Sequence, residues 1–386
     1  MFWFSTGDRE TRRESRTQAM CGPLASIKFN KNCKKMKVFL ISILVISLNS
    51  NYLTAQTNYE KIDSVLNSYF EVNLFNGSVI VSENGNVIYK NGFGFANFEL
   101  NINNKPDTKF KIGSCTKQFT AALIMILNEE GKLSLDDKIS NYIPEYPIDK
   151  GSKITIHNLL SHSSGIPEYF SLPDMDNILL TENNPDEFIK QFWNLDLEFE
   201  PGTKLKYSNS GYFVLGKIIE NVTNQSYSQV LQEKIFSPLE MLNSGVVQED
   251  IVINNKAYGY IKAQDTLKVA PYINASGAFS AGAIYSTVED LFKWQNALQS
   301  YTILKKESLE KMLKPNFSRY GYGFGILNLT LENNKTITLY GHEGEISGFR
   351  SLIHFFKEDN SSIILLDNNQ NTNLYEISVA IRKIIF

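Results

Sequence analysis

A serine stands three residues ahead of a lysine in Ile112-Gly113-Ser114-Cys115-Thr116-Lys117, at the head of the apolar run Gln118 to Leu127. If that run is a helix, hydroxyl and amine share one face, one turn apart. An amine so placed can take the hydroxyl proton, which is what turns a serine into a nucleophile. The helix start adds unpaired N–H groups and a positive dipole end, where an oxyanion could be held. The same pattern recurs at Ser308-Leu-Glu-Lys311, so it does not identify a site alone. There Lys305, Lys306, Glu307, Glu310 and Lys311 mark a solvated helix face, and Ser308 is discounted.

Two further patterns follow Ser114 in chain order. Tyr207-Ser208-Asn209 lies between Pro201-Gly202 and Ser210-Gly211, and His342-Glu343-Gly344 follows the apolar stretch Thr336 to Tyr340. A phenol near an ammonium loses its proton more easily, so Tyr207 is a second group for proton transfer beside Lys117. Which of the two is the base stays open at this level. Asn209 offers an amide to both Lys117 and a substrate carbonyl. His342 carries only part of a charge at neutral pH, which makes any recognition of a substrate carboxylate weak or pH-dependent. Strand alternation puts Glu343 on the opposite face, and Gly344 would let a substrate backbone approach. Tyr-x-Asn also occurs at Tyr89-Lys-Asn91 and Tyr272-Ile-Asn274, without those flanks.

The elements that must position these groups are legible in outline. Tyr59 to Phe70 has helical apolar spacing, and Gly77–Glu83 and Asn86–Lys90 around Asn84-Gly85 form a hairpin signal. Gly131 closes the Ser114 helix. Thr155–Leu160, Pro185–Trp193 and Ser210–Val222 are expected to be helical, and Ser286-Thr-Val-Glu289 reads as a capping box for a helix through Leu298. Strands are expected at Tyr322–Leu327, Thr336–Tyr340, Phe349–Phe356 and Ser362–Leu366, then a helix Leu374–Ile385. The fold class is α+β: one antiparallel sheet with flanking terminal helices and a helical insertion. The sheet lobe would take residues of about 59–130 and 266–386, and the helical lobe about 131–265, with a cleft between them.

Taken together and in order, these patterns resemble the serine hydrolases of the penicillin-recognising fold: class C β-lactamases, D-alanyl-D-alanine carboxypeptidases, D-aminopeptidases and related esterases. Leu159-Leu-Ser-His-Ser-Ser-Gly165, Ala281-Gly-Ala-Ile-Tyr-Ser-Thr287, Tyr320-Gly-Tyr-Gly-Phe324 and Gly341 to Phe349 extend the likeness from residue 60 to the end. The resemblance implies an acyl-enzyme on Ser114, with Lys117 and Tyr207 handling protons and the Ser114 and Glu345 N–H groups as oxyanion hole. It departs at the third motif, where many members have Lys-Thr-Gly and this chain has His342-Glu343-Gly344, a variant of the peptidases and esterases. The implied activity is an amide or ester hydrolase acting on D-amino-acid peptides or small esters. A β-lactamase, and a non-catalytic sensor of cell-wall fragments, are the alternatives.

Composition sets the remaining bounds. The chain has 386 residues, 42% hydrophobic and 20% charged, which is globular. Residues 1–55 hold nine basic and three acidic side chains; the rest holds 29 basic and 38 acidic. An acidic body without a basic block argues against nucleic acid. Lys34-Lys35-Met36-Lys37, the apolar run Val38–Leu48 and Leu53-Thr54-Ala55 have the form of a signal peptide at 36–55, with Met36 as the start and 1–35 an artefact or extended n-region. Eleven apolar residues do not span a bilayer. A periplasmic or secreted single hydrolase domain, 56–386, is expected. Of Cys21, Cys33 and Cys115 only the last would survive cleavage, so no disulfide is expected. His157, His162 and His354 lack metal-ligand spacing, and neither metal nor cofactor is expected.

Overall fold

The computed structural model describes residues 57–386 apart from Asp265, Ser318, Glu332 and Asn333. The signal-peptide segment and what precedes it lie outside the described residues. Helix α1 (57–71) leads into the hairpin of β1 (Gly77–Glu83) and β2 (Asn86–Gly92). Asn84 and Gly85 at its turn both have positive φ, 51° and 76°, as a two-residue primed turn requires. The sheet is completed from the far end of the chain by β3 (Gly325–Thr330), β4 (Thr336–Ile346), β5 (Phe349–Phe356) and β6 (Ser361–Asp367). Its order is β3-β4-β5-β6-β1-β2, antiparallel throughout.

The central strands are covered on both faces, which is why they read as unbroken apolar runs rather than alternating ones. Val79, Val81, Leu352, Ile363 and Leu365 face α1 and the closing helix α5 (Leu374–Ile385), packing with Ile62, Leu66, Ile377 and Ile381. Ile80, Ile353, Ile364 and Leu366 face the other way, into the core shared with α2 (Thr116–Glu129), α3 (Asn209–Thr223) and α4 (Val288–Gln299). Helix α2 runs through that core, buried at every residue from Thr116 to Met125. Gly131, at φ 69°, follows its end.

Several boundaries differ from those expected, each for a local reason. Pro185–Trp193 is two short pieces, a helix Pro185–Phe188 and a 3-10 turn Ile189–Gln191. The N-cap of α4 is Thr287, whose side chain accepts from the Asp290 N–H; Ser286 still belongs to a strand, so the expected capping box is one residue out of register. β3 starts at Gly325 rather than Tyr322. Gly323 has φ 74°, and a Cβ there would lie 2.6 Å from the Lys117 carbonyl oxygen, so the chain before β3 is a loop pressed against α2. β4 does not stop at Tyr340. Its glycines are sites of close approach, not of turning: a Cβ on Gly341 would sit 2.3 Å from the Ile353 carbonyl oxygen. β4 pairs with β5 through Ile346↔Phe349, whereas β3 pairs with it only as far as Gly341. Among the described residues, no strand therefore lies beside 342–346 on the β3 side. No described helix is long and apolar enough to cross a membrane.

Candidate active site

The vacant edge of β4 is occupied by the turn that carries Ser114. Gly113–Cys115 is a 3-10 turn continuous with α2, and Gly113 takes φ 49°. A Cβ on Gly113 would come within 2.8 Å of the Glu345 nitrogen, and one on Gly344 within 2.0 Å of the Ile112 carbonyl oxygen. Two glycines thus let the turn and the strand meet backbone to backbone. Gly344 makes room for the Ser114 turn, where the sequence suggested room for substrate. Ser351 Oγ donates to the Ile112 oxygen at 2.7 Å, and the Ile112 N–H to the Ile284 oxygen at 2.9 Å, fixing the turn from both sides. First-turn geometry leaves the Ser114 N–H without an intrahelical acceptor.

Lys117 lies one turn into the core and is wholly buried. Its Nζ is 2.9 Å from Ser114 Oγ, 2.7 Å from Asn209 Oδ1 and 2.8 Å from the Ala281 carbonyl oxygen. Burial pushes its pKa down from 10.5 to about 7, against a smaller upward pull from the Glu168 carboxylate. Two of the three neighbours can only accept. A neutral amine has two N–H bonds for Asn209 and Ala281, and its lone pair is then left for the serine hydroxyl.

Tyr207, Ser208 and Asn209 are placed by the start of α3. Ser208 is the N-cap, its Oγ accepting from the Gly211 N–H at 3.1 Å, and the Asn209 N–H donates to Glu168 Oε2 at 2.6 Å. Tyr207 donates its phenol proton to Ser114 Oγ at 2.8 Å, with Lys117 Nζ 4.9 Å from its ring centre. The residue is 37% exposed, but crowding at the hydroxyl desolvates the phenol and holds it above its ordinary pKa, the bond to Ser114 acting the other way. Tyr89 and Tyr272, in the two other Tyr-x-Asn copies, are elsewhere: Tyr89 bonds Asp63 at 2.6 Å and Tyr272 is 52% exposed. Ser308 is buried rather than solvated, because the helix Lys306–Met312 turns Ser308, Leu309 and Met312 inward while its lysines stay outside.

His342 lies beside Tyr207 with Nε2 2.9 Å from the Tyr320 hydroxyl and Nδ1 against the Glu343 carbonyl. Desolvation, then the charge of Lys117, push its pKa down to about 3, so it is neutral. Glu343 is exposed on the strand. Glu345 pairs with Arg350 at 2.7 Å and accepts from Gln370 at 2.7 Å. A cleft of about 230 Å³ opens from Ser114 between Asn209, Phe170, Ile273, Ile346 and Glu345. None of the residues lining it is a lysine, arginine or histidine. Cys115 is no rival nucleophile: it is buried under β4, donates to the His342 carbonyl at 3.1 Å, and its thiol is pushed up to about 12 by burial. Among the described residues no group of three or more His, Cys, Asp or Glu is placed to share a metal.

Sequence reasoning missed three groups here. Ala281 contributes only a carbonyl, which no residue-type pattern can flag. Glu168 and His162 reach the site from loops between short helices; His162 lies in the stretch Leu159–Gly165 that carries the resemblance, with no role assigned to it beyond the rejected one of metal ligand.

The family model described as Beta-lactamase matches residues 71–383. The chain is 33% identical over 325 residues to the putative penicillin-binding protein PbpX of Bacillus subtilis, covering 82% of this chain and 78% of that one. It is 32% identical over 282 residues to the teichoic acid D-alanine hydrolase of Staphylococcus aureus, covering 72% and 68%. Its fold superposes on the D-amino acid amidase of Ochrobactrum anthropi with a TM-score of 0.74, at 26% identity, covering 85% and 98%. The chain belongs to the beta-lactamase family of serine hydrolases.

Proposed function

We propose that the protein is an exported hydrolase that cleaves esters or amides of small D-amino acids through an acyl-enzyme on Ser114. The observation that carries this is the pair of contacts on Ser114 Oγ, 2.9 Å from Lys117 and 2.8 Å from Tyr207. Neutral Lys117 takes the hydroxyl proton as Oγ attacks the substrate carbonyl, and the N–H groups of Ser114 and Glu345 hold the oxyanion. Tyr207 passes a proton to the leaving oxygen or nitrogen as the C–O or C–N bond breaks, and is itself reprotonated from Lys117. Water, deprotonated by the same lysine, then attacks the acyl carbon; the acyl–Oγ bond breaks, Lys117 returns the proton to Ser114 Oγ, and the acid leaves. Export rests on the sequence pattern at 36–55.

The raised pKa of Tyr207 makes it a poor base at neutral pH, which favours Lys117 in that role. The active form of Lys117 is the neutral one, so kcat/KM rises with pH on a limb centred near 7 and levels off above it. A rate that is flat from pH 5 to 9 on a non-titrating ester removes Lys117 as the base.

The cleft at Ser114 is lined by no lysine, arginine or histidine, His342 beside it is neutral and Arg350 is bound to Glu345, although the exposed Arg319 lines the adjoining pocket by Tyr207. A substrate whose recognised group is a carboxylate, such as a D-alanyl-D-alanine terminus or a β-lactam, loses binding energy there. A free ammonium does not. The relatives named for D-alanine and D-amino-acid amide chemistry agree with that preference. Kinetics with D-alanyl esters, D-alaninamide, an acyl-D-alanyl-D-alanine peptide and nitrocefin test it. The expected order puts the first two at least about tenfold ahead in kcat/KM; faster turnover of nitrocefin or the peptide overturns it.

A further inference from the structure

His162 sits just past the C-terminal end of the short helix Ile156–Leu160, with φ 53°. That left-handed position is the usual place of glycine or asparagine, and a histidine there carries backbone strain that glycine avoids. It is also 1% exposed. Its own N–H donates to the Leu159 carbonyl at 3.3 Å, and its two other hydrogen bonds go to the residues on either side of Tyr207. The His162 carbonyl accepts from the Lys206 N–H at 2.9 Å, and His162 Nδ1 accepts from the Ser208 N–H at 3.1 Å. The imidazole lies against the Tyr207 ring, with centroids 4.3 Å apart, and against Tyr320 and Tyr212 at 4.6 and 4.9 Å. Its Nε2 has no hydrogen-bond partner.

We propose that His162 is a positioning residue for Tyr207, holding the phenol over Ser114 by gripping the peptide on both sides of it and backing its ring. The inference rests on the reading that Tyr207 carries the leaving-group proton. The chemistry requires a neutral imidazole, because a protonated Nδ1 is a donor and would face the Ser208 donor. Burial, then the neighbouring Lys117, disfavours protonation. An alternative use of the residue, as packing alone, needs neither the Nδ1 bond nor the strained backbone. Phenylalanine would fill the same space.

That difference gives the test, a double-mutant cycle with a small D-alanyl ester. His162→Phe keeps the ring stack and loses the acceptor; His162→Asn keeps an acceptor and tolerates the left-handed backbone. His162→Phe is expected to lower kcat on the order of 10²-fold with KM within about threefold, and His162→Asn to recover about tenfold of that loss. In a Tyr207→Phe background, His162→Phe is expected to cost less than about twofold more, because the group it positions is gone. If the two losses multiply instead, or Phe matches wild type, His162 is packing only and the inference falls while the role of Tyr207 stands. If Tyr207→Phe alone keeps wild-type kcat, the role of Tyr207 falls and this inference with it. Should His162→Phe not fold, His162→Asn enters the cycle, with the same requirement that its loss vanish beside Tyr207→Phe.

Discussion

Lys117→Met lowers kcat/KM for ester substrates by about 10³-fold or more, while the change in thermal stability it brings depends on pH. The activity loss follows because no other group within reach of Ser114 is a base at neutral pH: Tyr207 is held above its ordinary pKa, and His342 bonds Tyr320. The stability effect follows from burial. The native state penalises the charged lysine, lowering its pKa to about 7 from 10.5 in the unfolded chain. Between those values the unfolded state binds the extra proton, so the penalty is full below pH 7 and shrinks as pH rises toward 10.5. Methionine removes it. Its own cost, leaving Asn209 Oδ1 and the Ala281 carbonyl without their donor, does not vary with pH. The Tm of the variant relative to wild type is therefore higher at pH 6 than at pH 9. Equal differences at both pH values, measured by calorimetry, contradict a buried, partly neutral lysine.

Gly344→Ala is the second large effect. Its Cβ would sit 2.0 Å from the Ile112 carbonyl oxygen and 2.3 Å from Ser351 Oγ. The serine side chain can rotate; the Ile112 peptide cannot yield without moving the Ser114 turn away from β4. Overpacking of this kind costs about 1–3 kcal/mol of stability. The shift also separates the Ser114 and Glu345 N–H groups, and a misplacement of about 1 Å is worth roughly 10² in rate. The expected variant folds, melts lower, and has kcat reduced about 10²-fold. Gly131→Ala, where nothing lies within 4 Å, serves as the glycine control, though its φ of 69° brings strain of its own. Full activity in Gly344→Ala shows that the turn and strand are not held in register by that contact.

These two residues also show how far the sequence could be read. The Ser114–Lys117 contact was legible because it depends on helix spacing, which is a local property. The strands β5 and β6 were legible because burial on both faces makes long apolar runs. Gly344 was found, but for a different reason: its neighbours, Ile112 and Ser351, are distant or separated by a hairpin, and no pattern along the chain announces a carbonyl oxygen only 2.0 Å from where a Cβ would stand. The same holds for β4, expected over Thr336–Tyr340, which runs on through Gly341 and Gly344 because β5 and the Ser114 turn lie against them. His342 was read as a partly charged group because its type suggests one. Burial, then the charge of Lys117, both supplied only by the fold, push its pKa down to about 3 and make it neutral.

The central claim is that Ser114 is the acylated nucleophile. Intact-mass and peptide-mapping measurements after treatment with a fluorophosphonate probe at pH 8 test it most directly. One adduct per chain is expected on wild type, carried by the peptide containing Ser114, and none on Ser114→Ala. An adduct of equal yield on Ser114→Ala, or none on folded wild type that hydrolyses esters, contradicts it.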